Sequence, residues 1–356
     1  MSKENNVESV VAHVEKVSLR DGSELLVHTL IPPIEGSMRH DLKALLQTEW
    51  VGGDMSWDAT MTGEYADSLV FVTCVGLRDG RMAGTATTAY AARHAEVGVV
   101  CDVVTLEEFR GMGVARAVTQ RVTDYFFNQG GRALYLGTGR EESAWRVYQR
   151  IGFEWFYGGV MRNLPSQSDD FDEGYFATGQ STSVRDAQWG DMPGVSALFT
   201  RPYEALAGDY GRGMFSVRYA EQGRCVSNFP HIYYDVIDKR GSCQVLVGQT
   251  PHRVLGLASI TPIDTAVRHH VGRLEILTHE NFYEHGPALL RATAKAGRAL
   301  GLKRAVAYVP AMDTARLQWM CDAGADKVGV LHGQVQLKDQ LVDIEVFECE
   351  LAGLVR

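Results

Sequence analysis

Apolar residues recur with strand and helix periods in alternation along this chain. Apolar, β-branched segments predict strands over residues 24–31, 69–75, 84–90, 96–105 and 133–136. Between the last two, a helical period places on one face Val114, Val118, Val122, Tyr125 and Phe126. Other helices are expected near residues 40–47 and from about Glu141. Strands alternating with helices predict an α/β fold.

The junction between the strand ending at Thr105 and the helix beginning at Val114 is the most informative segment. Gly111 and Gly113 flank Met112 there, and Arg110 and Arg116 stand on either side. The first N–H groups of a helix have no partner within it, and the helix dipole adds partial positive charge. Glycines also let a phosphate approach the backbone. The pattern therefore predicts an anion-binding loop.

Two motifs make this loop more specific. It has neither the G-x-G-x-x-G order of a dinucleotide fold nor the Lys-Ser/Thr of a P-loop. It does have R-x-x-G-x-A at Arg110, Gly113 and Ala115, and Tyr148 begins a later Tyr-x-x-x-Gly-Phe segment. Both motifs resemble those of the GNAT superfamily of acetyl-coenzyme A (acetyl-CoA) dependent N-acetyltransferases. The resemblance covers roughly residues 20–165.

This resemblance implies how a cosubstrate would be held. The strand before the loop would lie along the pantetheine arm, the loop would hold the pyrophosphate, and Tyr148 would donate a proton to the sulfur. The implied acetyl-CoA-binding residues are Val103, Val104, Thr105, Arg110, Gly111, Met112, Gly113, Val114, Ala115 and Arg116. A direct transfer to a bound amine would follow.

The general base is left open between two carboxylates. Glu96 and Asp102 have the same parity on the predicted strand, so both side chains could point towards the acceptor. A β-bulge would break that parity. No metal site is expected, because the spacing of the histidines in the second half matches no usual ligand set; these are His269, His270, His279 and His285.

The second half of the chain resembles a repeat of the first. Thr278, Tyr283, Gly286 and Ala288 each follow by 173 residues their counterparts Thr105, Arg110, Gly113 and Ala115. We therefore predict two tandem GNAT-type domains, each a mixed, mostly antiparallel sheet flanked by helices, similar in arrangement to mycothiol synthase. The predicted catalytic domain covers residues 1–165, an acidic, exposed linker 166–182, and the second domain 183–356.

Three substitutions predict that the second copy has lost the chemistry. Tyr283 replaces the arginine, Glu284 puts negative charge where pyrophosphate would lie, and Met320 stands at the position of Tyr148. A structural, acceptor-shaping or dimerising role is therefore expected for this domain. In mycothiol synthase, by contrast, the C-terminal half is the active one.

Composition narrows the remaining choices. The length of 356 residues favours two domains. A formal net charge of −9 argues against binding to nucleic acid or an acidic membrane. Six scattered cysteines without a C-x-x-C pair, a polar N-terminus and the lack of a long apolar run predict a cytoplasmic protein.

The combined prediction is an enzyme, an N-acetyltransferase that moves an acetyl group from acetyl-CoA to a small-molecule primary amine. Two alternatives stay open: transfer of a longer acyl group, and a non-catalytic acyl-CoA sensor whose second domain binds a partner. The acceptor is left open, and so is a homodimer.

Overall fold

The computed structural model describes residues 11–51, 56–165, 170–200, 208–209, 214–215, 228–248, 253–263, 266–337 and 340–354. It divides the chain into two compact units. The first consists of Met1–Phe156 with Met161–Ser168, and the second of Tyr157–Val160 with Asp169–Arg356. Each predicted repeat copy lies in its own unit.

The first unit is built on an eight-stranded sheet of order β1-β2-β3-β4-β5-β6-β8-β7. Neighbours from β1 to β5 are antiparallel, and β5 and β6 are parallel. The elements are β1 Val11–Ser18, β2 Glu24–Leu30, α1 Gly36–Gln47, α2 Trp57–Thr62, β3 Leu69–Arg78, β4 Arg81–Ala91, β5 His94–Thr105, α3 Val114–Asn128, β6 Ala133–Gly137, α4 Trp145–Gln149, β7 Glu154–Trp155 and β8 Val160–Asn163.

Helix α3 packs against this sheet as its apolar period predicts. Val114, Val118, Val122 and Phe126 are all buried in one cluster with residues of β2 to β6. Burial of each such side chain contributes roughly 1.5–3 kcal/mol. The approach is close: a Cβ added to Gly98 would lie 2.7 Å from the ring of Phe126. A second cluster forms beneath α1 and α2.

The second unit has a seven-stranded sheet of order β16-β17-β15-β14-β13-β12-β9 and a separate pair, β10 and β11. Among the strand pairs in the described part of this sheet, β14 and β15 are parallel and the others are antiparallel. The elements are α5 Phe171–Tyr175, β9 Thr182–Asp186, α6 Met192–Phe199, β10 Gly208–Asp209, β11 Met214–Phe215, α7 Asn228–Asp238, β12 Ser242–Gly248, β13 Val254–Pro262, β14 Val271–Thr278, α8 Gly286–Ala299, β15 Arg304–Pro310, α9 Thr314–Asp322, β16 Asp326–Leu337, β17 Gln340–Glu350 and α10 Leu351–Leu354.

The predicted fold class is confirmed: each unit has a mixed, mostly antiparallel sheet with flanking helices. The repeat also extends to local geometry. Gly152 and Gly324, 172 residues apart, both adopt left-handed backbone angles, with φ of 99° and 71°. After each, the next N–H donates back to the carbonyl of Tyr148 or Met320, at 3.1 and 2.9 Å.

Two local expectations need correction. The stretch 166–182 is not exposed throughout, because Phe171 and Tyr175 of α5 are buried and Thr182 already belongs to β9; residues 166–169 lie outside the described part. Helix α4 begins at Trp145 rather than near Glu141, because the residues from Glu141 to Ser143 are exposed and polar. Within the described ranges, no helix is long and apolar enough to cross a membrane.

Candidate active site

A β-bulge distorts β5 at Asp102. The register passes from Thr87 opposite Cys101 to Thr85 opposite Val104, so Asp102 and Val103 together face the single residue Ala86. Asp102 has a φ of 53°, which is uncommon for a residue with a Cβ. Such bulges redirect side chains and often lie beside active sites.

Strands β5 and β6 are paired only at their beginning. Their register runs from Val97–Ala133 to Val99–Tyr135, whereas β5 continues as far as Thr105. Beyond Val99, the backbone on that side of β5 is therefore not bonded to β6. The bulge lies in this unpaired stretch, where an extended ligand could run along the strand.

Two neighbours hold the carboxylate of Asp102. The indole Nε1–H of Trp57 in α2 donates to Oδ1 at 3.2 Å, and the Cys101 thiol donates to Oδ2 at 3.5 Å. Trp57 is buried. Sequence analysis did not select Trp57, because 45 residues separate it from Asp102 and no local pattern marks the contact.

Glu96, the other candidate base, lies elsewhere on the strand. Its carboxylate accepts a 2.6 Å charge-assisted hydrogen bond from Arg132 at the start of β6. Six residues of extended strand separate Glu96 from Asp102, about 20 Å at the usual rise. The structure therefore does not bring the two carboxylates together, and the bulge breaks the parity that grouped them.

The glycine loop presents backbone N–H groups next to open space, as an anion-binding loop must. Gly111 and Gly113 have φ values of 81° and 104°, and Gly113 is the N-cap of α3. Among the described residues, no acceptor binds the backbone N–H groups from Gly111 to Arg116. A Cβ added at Gly111 would meet nothing within 4 Å. These donors and this space fit a phosphate group.

The loop is held from its carbonyl side by residues distant in sequence. The backbone N–H of Arg20, in the β1–β2 turn, donates to Met112 O at 3.0 Å, and its Nη1 donates to Gly111 O at 3.3 Å. Arg78 contacts Met112 Sδ at 2.8 Å. These bonds to the carbonyl groups fix the position of the loop. No signal near the motif in sequence indicated Arg20 or Arg78.

Most arginines around the loop are paired with carboxylates. Arg110, the motif arginine, donates to Thr105 O at 3.1 Å and pairs with Glu49 at 3.5 Å. Arg116 is exposed on the first turn of α3. Two further pairs, Arg78–Asp21 at 3.1 Å and Arg81–Glu108 at 2.8 Å, lie near the loop. Directed backbone donors, rather than excess positive charge, thus dominate this site.

The remaining predicted strand residues have different surroundings. Val104 is buried in the cluster beneath α1, and Val103 packs at the edge of the α3 cluster. The hydroxyl of Thr105 is buried and has no hydrogen-bond partner in the described part of the chain. Ala115 is half-buried at the start of α3.

Tyr148 in α4 belongs to the buried cluster that also contains Val100 of β5 and Val114 of α3. Its ring packs edge-on against Phe153. Burial, reinforced by the charge of Glu142, raises the pKa of the Tyr148 phenol well above its usual range. Tyr148 therefore stays a protonated donor at neutral pH.

The equivalent loop of the second unit is closed by its own side chains. Gly286 has a helical φ of −51°, and a Cβ there would overlap the ring of Trp319. Pro287, in the first turn of α8, has no N–H to offer. Arg316 is buried, pairs with Asp313 at 2.5 Å and donates to Ile276 O on β14 at 3.1 Å.

Over the described ranges, no group of three or more histidine, cysteine, aspartate or glutamate side chains could hold a metal ion. The cysteine of the site, Cys101, is half-buried and forms no disulfide.

In a comparison with known protein families, one family model matches part of the chain. Residues 39–153 match the model of the Acetyltransferase (GNAT) family. None of the curated proteins compared with the chain matches it.

Solved structures also resemble the chain over about half its length. An N-acetyltransferase from Staphylococcus aureus is 14% identical, with 48% of this chain and 99% of that chain covered and a TM-score of 0.40. A ribosomal-protein-alanine N-acetyltransferase from Brucella melitensis is 18% identical, with 47% and 99% covered and a TM-score of 0.39. A phosphinothricin acetyltransferase from Sinorhizobium meliloti, in complex with acetyl-CoA, is 12% identical, with 48% and 88% covered and a TM-score of 0.40.

Proposed function

The chain carries an acyltransferase domain of the Acetyltransferase (GNAT) family at residues 39–153, and on that premise we propose that it transfers the acetyl group of acetyl-CoA to the primary amine of a small molecule. The observation that carries this proposal is the row of uncommitted N–H groups from Gly111 to Arg116 at the start of α3. The row follows the unpaired end of β5, which bears a fixed carboxylate.

The cosubstrate would be held by backbone more than by side chains. The loop N–H groups suit the pyrophosphate, because fixed donors and a helix dipole meet negative charge there. Beyond Val99, the free edge of β5 suits the amide groups of the pantetheine arm. When bound, acetyl-CoA supplies the activated acetyl thioester.

Asp102 is the residue that we assign to the acceptor amine. Its carboxylate would take one proton from the bound ammonium ion, which frees the nitrogen lone pair for attack, and the second nitrogen proton would pass to solvent as the amide forms. The uncharged donors Trp57 and Cys101 hold the carboxylate at the bulge. Glu96 is already engaged by Arg132 and is not assigned a catalytic role.

Tyr148 is assigned to the leaving sulfur. When the carbon–sulfur bond breaks, the phenol donates its proton to the thiolate and is reprotonated from solvent. The phenol is protonated at neutral pH, as a proton donor must be, because its pKa lies above the usual tyrosine value.

Release of free thiol from acetyl-CoA in the presence of a panel of primary amines tests the proposal. Turnover with at least one amine is expected for the wild type, with strong loss in Asp102→Asn and little change in Glu96→Gln. Binding of acetyl-CoA without turnover on any amine would instead support the sensor alternative. Faster turnover of longer thioesters would support a different acyl group. The cytoplasmic location and the homodimer stay predictions.

A further inference from the structure

We propose that Arg20 is a phosphate-binding residue for the cosubstrate, supplied by the β1–β2 turn outside the family-matched segment. This inference rests on the proposed function, because the phosphate belongs to acetyl-CoA. The match covers residues 39–153 and therefore contains neither β1 nor β2.

The β1–β2 turn is docked against the glycine loop. The turn is closed by bonds from Leu19 N to Ser23 O at 2.8 Å and from Gly22 N to Leu19 O at 3.1 Å. From it, the backbone of Arg20 reaches Met112 O, and its Cγ would lie 3.9 Å from a Cβ added at Gly113. The guanidinium of Arg20 is thus held beside the uncommitted N–H groups.

Arg20 differs from its neighbours in how its charge is used. Arg78, Arg81 and Arg110 each pair with a carboxylate. Arg20 is exposed, and its one side-chain hydrogen bond within the described residues goes to the neutral carbonyl of Gly111, at a long 3.3 Å. The adjacent carboxylate, Asp21, is paired with Arg78 and accepts hydrogen bonds from Ser23.

A guanidinium whose one side-chain hydrogen bond in the described residues goes to a neutral carbonyl, next to free backbone donors, is suited to a phosphate. Its remaining N–H groups can bind one oxygen while the loop binds another, and the charge–charge contact needs no carboxylate to be displaced. Loss of one charge-assisted contact of this kind weakens binding by about 10- to 100-fold.

Calorimetric titration with coenzyme A tests this inference in Arg20→Ala, Arg20→Gln and Arg20→Lys. The matched control is Lys16→Ala, which removes one exposed positive charge from the same hairpin. We expect about 10- to 100-fold weaker binding in Arg20→Ala and Arg20→Gln. Arg20→Lys should recover part of the affinity, Lys16→Ala should change it less than about twofold, and the melting temperatures should agree.

Titration with 3′-dephospho-coenzyme A identifies the phosphate. A loss shared by both ligands assigns Arg20 to the diphosphate, and a loss confined to coenzyme A assigns it to the 3′-phosphate. Equal affinities of Arg20→Ala and Lys16→Ala would overturn the inference, as would equal weakening of all three Arg20 variants with lowered melting temperatures. Both leave the proposed function intact, whereas a wild type that binds no coenzyme A would overturn the two together.

Discussion

The loops after β5 and after β14 keep the same glycine but not the same backbone. Gly113 is left-handed, and the nearest atom to an added Cβ is 3.9 Å away. Gly286 is helical, and Trp319 fills the space beside it. A retained glycine therefore does not mean a retained site. What distinguishes the two loops is whether N–H groups face open space: in the second loop Pro287 has no N–H, the N–H of Gly286 is bonded to Tyr283 O, and Trp319 fills the space.

The strands that precede the two loops also differ, in the regularity of their pairing. β5 bulges at Asp102, whereas the described register of β13 with β14 runs without a shift from Gly256–Thr278 to Pro262–Gly272. Glu275, which aligns with Asp102 at the repeat spacing, is buried in a regular strand and lies 3.9 Å from Arg273. The second unit thus keeps the fold while its own side chains occupy the equivalent positions.

The largest effect is expected from exchanging carboxylates for amides at the two equivalent strand positions. Asp102→Asn should lower kcat/KM by about 100- to 10,000-fold, because the variant cannot take the proton from the amine. Glu275→Gln should leave kcat/KM unchanged. Steady-state kinetics of both variants checks this. Equal activity of wild type and Asp102→Asn would refute the assignment of Asp102.

Alanine at the two glycines should separate binding from stability. Gly113→Ala puts a Cβ on a left-handed residue, which costs about 1–2 kcal/mol and disturbs the anion cradle. We expect acetyl-CoA affinity to fall on the order of 100-fold. Gly286→Ala forces a Cβ against Trp319 and should cost about 1–3 kcal/mol of stability with unchanged affinity. Calorimetry and thermal melting of both variants test this, and weaker binding in Gly286→Ala would contradict it.

Removal of the phenol hydroxyl should lower turnover without lowering affinity. Tyr148→Phe should reduce kcat by about 10- to 100-fold while acetyl-CoA binding stays as in the wild type. The control is Tyr90→Phe, which changes another buried tyrosine of the same cluster. A similar loss of kcat in both variants would show that Tyr148 acts only through packing.

The same residue gives a pH test. Burial raises the pKa of Tyr148, so its phenol stays protonated beyond the usual value of about 10. The ratio of wild-type to Tyr148→Phe turnover should therefore stay constant from pH 7 to pH 10. A ratio that falls steadily over this range would mean that the phenol ionises below pH 10 and that burial does not raise its pKa.

The smallest effect on binding is expected from opening the second loop. Trp319→Ala should destabilise its unit by about 3–5 kcal/mol, because a large buried side chain is lost. It should create no acetyl-CoA site, since Pro287 lacks an N–H and Glu284 keeps its negative charge. Detection of a new site by calorimetry would show that Trp319 alone blocks the loop.

The sequence was sufficient to predict those parts of the site whose residues are adjacent along the chain. The end of β5, the glycine loop and the start of α3 follow each other along the chain, so period and motif together predict them. The repeat could be found for the same reason, because its spacing is nearly constant.

Contacts between distant residues could not be predicted. Trp57 meets Asp102 and Arg20 meets Gly111 across separations of 45 and 91 residues. The sequence does not predict the position of the bulge; it shows only that a bulge in this strand would break the parity of Glu96 and Asp102. The burial of the aromatic residues of α5 could not be predicted, because acidic residues surround them in the sequence. It depends on packing within the second unit.

The central claim is that the first unit binds acetyl-CoA and the second does not. Calorimetric titration of the full chain with acetyl-CoA tests this claim most directly. The account predicts one site per chain in the wild type and a site weakened on the order of 100-fold in Gly113→Ala. Two sites per chain, or one site that Gly113→Ala leaves unchanged, would contradict it.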